Sequence, residues 1–450
     1  MSEPPRPEVL PEAVPKVVIV GAGFAGLYAA KALRRAPLEV LLIDQNNFHT
    51  FQPLLYQVAT SGLEMGDIAH GVRQIFHRQR NVRFRRGRAV GVDWERKRVI
   101  LADGESESFD ALILGAGAVY SDFGVPGVLE HAWFLKDLAE AANLRSHILQ
   151  RFERASAEPE LIATGLLTFV IVGGGPTGVE MAGALVELFG GPLRKDFPEL
   201  EHERVRVVLL EMTDTLLAAF GERSRRYAGA VLEGRGVELR FGATVAALRP
   251  GEVELASGEV IRSETLLWAA GVRGHPLAEA LGLELTRGQR IRVEADLSLP
   301  GRPYAYVAGD LAGATDEAGL LYPQVAQVAI QQGKHAARQI LRRLRNEPTE
   351  GFRYRDLGVM AIIGRNAGVA ELSRALGGFK LRGFLGWLGW LFIHLVYLPG
   401  HRNRVVAFVN WAYNYLTFDR HVRLIAFMRP SAAAPESPDA RADETRTTVR

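Results

Sequence analysis

Short, uninterrupted apolar runs recur along the chain in two series that follow the same order. Runs of this length without alternation are typical of parallel strands that are covered on both faces. In each series the third run ends in Ala and Gly, and the shared order indicates an internal duplication. The runs lie within residues 17–20, 38–44 and 109–117 in the first series and 169–172, 205–211 and 265–271 in the second.

A Gly-x-Gly-x-x-Gly turn follows the first strand of each series and precedes a helical pattern. The first glycine permits a tight turn, the second lets a pyrophosphate approach the backbone, and the third lets the helix pack against the strand. The pyrophosphate would then meet free N–H groups at the helix N-terminus. The candidate residues are Gly21, Gly23 and Gly26 in the first series and Gly173, Gly175 and Gly178 in the second.

An acidic residue ends the second strand of each series, where the ribose hydroxyls of a dinucleotide need an acceptor. Asp44 lies eighteen residues after Gly26, and Glu211 follows a longer spacing in the second series. The charge of Glu211 would repel a 2′-phosphate, which favours NADH over NADPH. We therefore predict an α/β fold with two Rossmann-like dinucleotide-binding domains.

Two dinucleotide sites in one chain predict that a flavin is brought against a nicotinamide, so that bound FAD takes a hydride from NADH. Gly117 and Gly271 end the third strands, where small residues let the backbone lie near a cofactor. Gly309 and Asp310 end a later strand, and Asp310 would bind ribityl oxygens. The FAD-binding domain is therefore expected to be discontinuous. The predicted segments are 16–125 and 290–350 for the FAD-binding domain, 126–289 for the NADH-binding domain, 351–430 for membrane association, and disordered ends at 1–15 and 431–450.

Two helices carry further candidate residues. One is expected to start near Tyr322, with Pro323 in its first turn, and to direct its positive end at the flavin. Gln327 and Gln331 lie four residues apart on it and share a face. Glu180 is expected on the first turn of the helix in the NADH-binding domain, where it would orient NADH or line the junction of two substrates. A plain helix-packing role for Glu180 is left open.

The C-terminal part of the chain combines positive charge with many aromatic residues. Residues 351–430 carry 11 basic and 3 acidic side chains, a net charge of +8, while the whole chain has +3. The apolar run 384–398 is shorter than the 17–25 residues that a spanning helix needs. Arg382, Arg402, Arg404, Arg420 and Arg423 accompany the aromatics, as in segments that lie in a membrane interface. A buried helix pair or a dimer interface is the alternative.

The chain has no cysteine. This excludes disulfides, thiolate metal sites and iron–sulfur clusters, and no metal site is expected. It also excludes the disulfide reductases and the sulfide:quinone oxidoreductases, which share this type of architecture but need catalytic cysteines.

The sequence resembles the type II, non-proton-pumping NADH:quinone oxidoreductases over roughly residues 16–425. The resemblance depends on residues 51–59 (FQPLLYQVA), the 173–180 fingerprint, the AQVAIQ element at 326–331 and the Trp-rich C-terminal region. It implies a peripheral enzyme on the cytoplasmic face of the cell membrane that oxidises NADH through FAD and reduces a membrane quinone. It implies that Gln327 and Gln331 lie at the quinone site, and Lys380 is the nearest candidate for the lysine found there in the family.

Two alternatives stay open at this stage. A ferredoxin or rubredoxin reductase would use the basic C-terminal block to dock a small acidic protein. A redox-sensing protein would use that block for nucleic acid, but the apolar run 384–398 favours an anionic lipid surface, so no nucleic acid is expected. The sequence leaves a homodimer open.

Overall fold

The computed structural model describes residues 14–420 and 422–426. The ends predicted to be disordered, 1–15 and 431–450, therefore lie almost entirely outside the described residues.

The described chain alternates strands and helices, then continues in a small antiparallel sheet and two helices. The strands of the main sheets are β1 Lys16–Val20, β2 Glu39–Asp44, β3 Val82–Arg86, β4 Ala111–Leu114, β5 Thr168–Val172, β6 Arg206–Glu211, β7 Val237–Phe241, β8 Thr265–Trp268, β9 Ser298–Leu299, β10 Arg302–Val307, β11 Gly358–Gly364, β12 Ala367–Leu372 and β13 Lys380–Gly383. The longer helices are α1 Phe24–Ala32, α2 Leu138–Ala157, α3 Pro176–Leu188, α4 Glu222–Gly234, α5 Ala326–Leu344, α6 Phe384–Tyr397 and α7 His401–Thr417.

Shorter elements connect these strands and helices. Two small antiparallel sheets of three strands each occupy equivalent places, one before β4 and one before β8. They are Ala89–Asp93, Arg98–Leu101 and Ser106–Ser108 in the first half, and Val245–Arg249, Glu252–Leu255 and Val260–Arg262 in the second. A one-turn helix at Leu55–Ala59 and the strand pair Phe48–Thr50 and Ala69–Gly71 lie between β2 and β3.

The first sheet has six strands in the order β9-β10-β4-β1-β2-β3. All neighbours are parallel except β9 and β10. Because β9 and β10 lie late in the sequence, the chain returns to this sheet after it has built the second one. Val18 and Ile19 on the central strand are fully buried, which explains the lack of polar alternation in β1.

The second sheet has four parallel strands in the order β7-β6-β5-β8. In both sheets the glycine turn follows a central strand, β1 or β5, and the next strand along the chain lies on one side of it while a later strand, β4 or β8, lies on the other. This is the point where α/β sheets bind nucleotides beyond the carboxyl ends of their strands. The predicted α/β fold with two dinucleotide-binding sheets is confirmed.

The C-terminal part is packed into the hydrophobic core. Strands β11–β13 form an antiparallel sheet, and α3 lies so close to β11 that a Cβ at Gly183 would overlap the carbonyl of Ile363. Trp390 on α6 and Ala407 on α7 are fully buried. No helix among residues 14–420 and 422–426 is both long enough and apolar enough to cross a bilayer.

Two sequence-based helix positions need correction. Helix α5 begins at Ala326, not near Pro323. The preceding segment is held by other partners, since Tyr322 N–H donates to Ala314 O and the Gln324 amide donates to Asp310 O, so Val325 is extended. Glu180 is the fifth residue of α3 and lies on its second turn, because the helix starts at Pro176.

Candidate functional site

The first glycine turn leaves room for a pyrophosphate. Gly21 has φ of +101°, and a Cβ there would overlap the carbonyl of Gly115 on the neighbouring strand. A Cβ at Gly26 would overlap the carbonyl of Gly21, which explains the close contact of α1 with β1. Apart from its own atoms and those of its chain neighbours, Gly23 has no atom of the described residues within 4 Å of the position that a Cβ would take. The backbone at Gly23 is thus open where a phosphate would approach, and the turn fits the predicted cofactor.

Asp44 and His49 hold this turn from the other side. The Asp44 carboxylate accepts the Ala22 N–H at 2.6 Å and the Asn46 N–H at 2.7 Å, and burial raises the pKa of Asp44. The Nδ1 atom of His49 lies 2.8 Å from Ala22 O. Burial lowers the pKa of His49 to about 4, so the ring is neutral at pH 7, and its Nε2 has no hydrogen-bond partner among the described residues. Sequence reasoning missed His49, although it lies in the apolar stretch after Asp44.

The late strand of the first sheet brings Gly309 and Asp310 to the same edge. The Gly309 N–H donates to the side chain of Gln332 at 2.7 Å, and Gln332 is almost completely buried on α5. The Asp310 carboxylate lies 3.6 Å from Lys136 Nζ. Gln332 was also missed, because its role depends on the packing of α5 against a strand that ends 25 residues earlier. Gly117 also has no atom of the described residues, beyond its chain neighbours, within 4 Å of the position that a Cβ would take.

The second glycine turn repeats this geometry. Gly173 has φ of +110°, a Cβ at Gly178 would overlap the carbonyl of Gly173, and the space at Gly175 is open. Glu211 accepts the Gly174 N–H at 2.7 Å. The turn therefore fits a second pyrophosphate, with an acid fixed beside it.

Gly271, three residues after β8, has a different immediate role. The ring of Phe123 occupies the space where a Cβ at Gly271 would stand. The glycine thus allows an exposed aromatic of the first half to rest on the second half, at the antiparallel pair Ala118–Tyr120 and Val272–Gly274.

Glu180 lies in a buried cluster where α3, β11 and α6 meet. Its Oε1 atom accepts the Trp390 indole N–H at 3.1 Å and the Ile362 N–H at 3.3 Å. Burial raises the pKa of Glu180 to about 8, although both hydrogen bonds oppose the shift. The carboxyl is thus protonated at neutral pH. Since Oε1 accepts both hydrogen bonds, the proton belongs on Oε2.

Three aromatic residues surround this carboxyl. The His394 ring stacks on Trp390 with 3.8 Å between centroids, and Tyr56 meets Trp390 edge to face. Burial, followed by the charge of Glu180, raises the pKa of Tyr56 well above its usual range, and burial lowers the pKa of His394 to about 4. All three are therefore neutral at pH 7. Trp390 was expected among membrane-facing aromatics, and the structure instead buries it beside Glu180.

Gln327 and Gln331 share a face of α5, and they bind residues just before β11 and at its first position. The Gln327 amide donates to Gly358 O at 2.8 Å, and its oxygen accepts from Tyr354 Oη at 3.1 Å. The Gln331 amide donates to Arg355 O at 2.9 Å and accepts the Arg355 N–H at 3.0 Å. Strand β11 thus begins at the Gln327 contact and reaches Glu180 four residues later, about 13 Å along the strand.

Lys380 is not brought to this cluster. It lies on β13 opposite Glu371, 3.5 Å from its carboxylate, and most of its side chain is exposed. Glu371 in turn caps α4 by accepting the Gly221 N–H. The parts of the C-terminal region that reach Glu180 are β11, through the Ile362 N–H, and α6, through the Trp390 indole.

The chain is similar to known proteins over most of its length. Residues 15–333 match the family model described as pyridine nucleotide-disulphide oxidoreductase. The type II NADH:quinone oxidoreductase Ndh of Mycobacterium tuberculosis is 38% identical over 436 residues, 93% of this chain and 92% of that protein. The type II NADH:quinone oxidoreductase of Staphylococcus aureus is 31% identical and covers 81% of this chain and 92% of its own length.

The solved structure of NDH2 from Plasmodium falciparum in complex with NADH shows the same fold. Its TM-score is 0.81 at 17% identity, and the match covers 92% of this chain and all of that chain. The relatives' names favour the quinone reductase over the ferredoxin reductase among the sequence-based alternatives. The chain belongs to the pyridine nucleotide-disulphide oxidoreductase family and, within it, to the type II NADH:quinone oxidoreductases.

Proposed function

We propose that this enzyme oxidises NADH through FAD bound at the first glycine turn and reduces a membrane quinone beside strand β11. We place the quinone site beside β11 because this strand binds both the Gln327 amide, at Gly358, and the Glu180 carboxyl, at Ile362. FAD supplies the redox chemistry when it is bound. The chain's own residues bind and orient the substrates and hold a proton.

Glu180 is the candidate proton donor. Reduction of a quinone to a quinol consumes two protons, and Glu180 holds one on Oε2 at neutral pH in a buried place. A protonated carboxyl can donate a hydrogen bond to a quinone oxygen without placing a charge in an apolar site.

Gln327 and Gln331 position the segment that closes the other end of the site. Because both amides bind backbone of residues 354–358, they fix where β11 begins. They act as positioning residues in this arrangement, and either side chain can also offer an N–H to a quinone carbonyl.

Quinone should be the preferred electron acceptor. We expect rapid NADH oxidation by the purified, FAD-loaded protein with a water-soluble quinone analogue and a far lower rate with a ferredoxin. The measurement is the loss of NADH absorbance with each acceptor at equal concentration. A quinone rate near zero, or a ferredoxin rate that exceeds it, would contradict the proposal.

NADH should be used at least tenfold more efficiently than NADPH, since a 2′-phosphate would meet the Glu211 carboxylate. Arg206 does not offer a compensating charge, because it makes two hydrogen bonds with Glu238, at 2.8 and 2.9 Å. The measurement is kcat/KM with NADH and with NADPH, for the wild type and for Glu211→Gln. The Glu211→Gln variant should have a lower ratio of the NADH value to the NADPH value. Glu238→Gln serves as a matched control and should leave the ratio unchanged. Equal use of both donors by the wild type would refute the assignment.

We further propose that the exposed face of α6 and α7 holds the enzyme on the cytoplasmic surface of the membrane. Several large apolar side chains on these helices are exposed, in contrast to the buried Trp390. They include Phe384, Leu385, Leu388, Phe392, Val396, Val405, Phe408, Val409 and Leu416. A face of this kind is typical of helices that lie in the interface of a bilayer.

Two of the arginines expected to face lipid serve another purpose. Arg420 is mostly buried and donates to Thr60 O, Ala184 O and Glu187, at 2.8 to 3.1 Å. Arg423 pairs with Asp196 and Asp419. These two arginines hold the last described residues against the rest of the protein. Exposed arginines such as Arg402 are therefore the ones that would face lipid.

The double variant Phe392→Gln/Leu416→Gln should bind vesicles at least tenfold more weakly than the wild type. Each substitution removes an apolar side chain that would otherwise leave water, worth about 1.5–3 kcal/mol when burial is complete. The measurement is cosedimentation with uncharged phosphatidylcholine vesicles. Leu129→Gln/Leu320→Gln is the control, since both leucines are exposed elsewhere. Equal binding by both double variants would contradict the proposed face.

A further inference from the structure

Three cationic side chains from separate parts of the chain converge near one aromatic ring. Lys31 Nζ, on α1, lies 4.9 Å from the centroid of the Tyr28 ring, and Lys334 Nζ, on α5, lies 5.2 Å from it. Arg404 on α7 is close enough for its charge to affect both Tyr28 and Lys31. We call Lys31, Lys334 and Arg404 the cationic cluster.

No acid neutralises the cationic cluster within residues 14–420 and 422–426. None of its three members forms an ion pair there, and neither α1 nor α5 contains an Asp or Glu. The Arg404 Nε donates to a neutral acceptor, Leu398 O. Burial lowers the pKa of Lys31, and the charges of Arg404 and Lys334 lower it further. These like charges repel each other, so an anion placed among them would be stabilised.

The cationic cluster stands beside the apolar face of α6 and α7. Tyr397, the last residue of α6, is near enough to influence the pKa of Tyr28, and it is partly exposed. Val405 and Phe408, next along α7 from Arg404, are more than half exposed. Positive charge next to exposed apolar side chains matches the arrangement of phosphate and acyl chain in a phospholipid.

The cation–π contacts alone do not account for this arrangement. A single cation is enough for a cation–π contact with one ring. Elsewhere in the protein Lys97 lies alone over Tyr304 and Arg302 alone over Trp94, 4.5 and 4.7 Å from the ring centroids. Lys31 and Lys334 instead share one ring, with Arg404 near it.

We propose that the cationic cluster binds the phosphate of an anionic phospholipid headgroup, so that the FAD-binding domain itself contacts the membrane through α1 and α5. The proposal deepens the membrane docking proposed above and rests on it. The headgroup supplies the missing negative charge, and its acyl chains continue onto the exposed face of α6 and α7.

The test compares two double variants that remove the same charge from the FAD-loaded enzyme. We expect Lys31→Ala/Lys334→Ala to reduce binding to vesicles containing about one-third phosphatidylglycerol roughly 30-fold, since each basic residue near an anionic surface is worth about 1 kcal/mol. Lys97→Ala/Arg302→Ala removes two cations that also lie over aromatic rings and should change binding less than about twofold. Both variants should bind uncharged vesicles like the wild type and keep the wild-type rate with a water-soluble quinone.

A second readout locates the lipid. Anionic vesicles should protect Lys31 and Lys334 from acetylation, measured by mass spectrometry, and inorganic phosphate at equal concentration should not. Protection by phosphate as strong as by vesicles would overturn the proposal in favour of a small-anion site. An equal loss of vesicle binding in both double variants would also overturn it. Wild-type protein that binds uncharged and anionic vesicles equally would refute the cluster but not the docking face, and protein that binds neither would refute both.

Discussion

Replacing Glu180 with Gln should slow the reduction of quinone about 100-fold and leave the reduction of bound flavin by NADH near its wild-type rate. General acids contribute about 10²–10⁴ in rate, and Gln keeps the shape of the side chain while it removes the transferable proton. The Trp390 and Ile362 donors can still bind the amide oxygen. Stopped-flow absorbance of the flavin separates the two half-reactions.

The pH profile gives an independent check. Because the pKa of Glu180 is about 8, the carboxyl loses its proton as the pH rises through that value, and the wild-type quinone half-reaction should fall there. In Glu180→Gln the profile should be flat across the same range. In Trp390→Phe the fall should move to higher pH, since the indole hydrogen bond lowers the pKa of Glu180 and its loss lets the pKa rise.

Trp411→Phe is the matched control for Trp390→Phe. Like Trp390, Trp411 lies on a C-terminal helix and donates its indole N–H to a side chain elsewhere in the protein. Its acceptor is Gln57, at 2.7 Å, and not Glu180. The pH profile of this variant should therefore equal that of the wild type. If Glu180→Gln keeps wild-type quinone kinetics, or if it slows flavin reduction instead, Glu180 does not deliver the proton.

The dinucleotide turns could be predicted from sequence because their requirements are local. Gly21 and Gly173 need positive φ, the following residues need open space, and Asp44 and Glu211 end the adjacent strand. All of these fall within short, ordered stretches of chain. The pattern of apolar runs was equally informative, since a strand that is buried on both faces has no polar positions.

The surroundings of Glu180 could not be predicted in this way. Trp390 reaches Glu180 across 210 residues of sequence, and Ile362 across 182. In the sequence Trp390 is one aromatic among many in an apolar run, and only packing decides which of them faces inward. Lys380, the nearest sequence candidate for the family's lysine at the quinone site, lies on β13 and pairs with Glu371, away from Glu180.

Charge counts were misleading for a related physical reason. Arg420 and Arg423 contributed to the positive charge that predicted a lipid surface, yet both are occupied within the protein. A net charge gives no information on pairing. Lys31 and Lys334 lie outside the basic C-terminal block, and only the packing of α1 against α5 brings them together.

The double variant Gln327→Ala/Gln331→Ala should slow the quinone half-reaction by at least tenfold, with near-normal reduction of the flavin by NADH. The change removes the hydrogen bonds that hold residues 354–358 against α5 and any N–H offered to a quinone carbonyl. One well-placed hydrogen bond is worth about 1–1.5 kcal/mol, roughly a factor of ten in rate. Stopped-flow measurements of both half-reactions give the comparison.

Gln339→Ala separates this effect from a general loss of stability. Gln339 lies on the same helix and accepts the Glu350 N–H at 2.9 Å, so it makes the same kind of helix-to-backbone contact farther from β11. Its loss should lower the melting temperature and leave quinone kinetics unchanged. Because Gln327 binds Gly358 at the start of β11 and Glu180 binds Ile362 farther along, Gln327→Ala/Gln331→Ala and Glu180→Gln test opposite ends of one strand. Wild-type quinone kinetics in the Gln327→Ala/Gln331→Ala enzyme would mean that the quinone site lies away from α5.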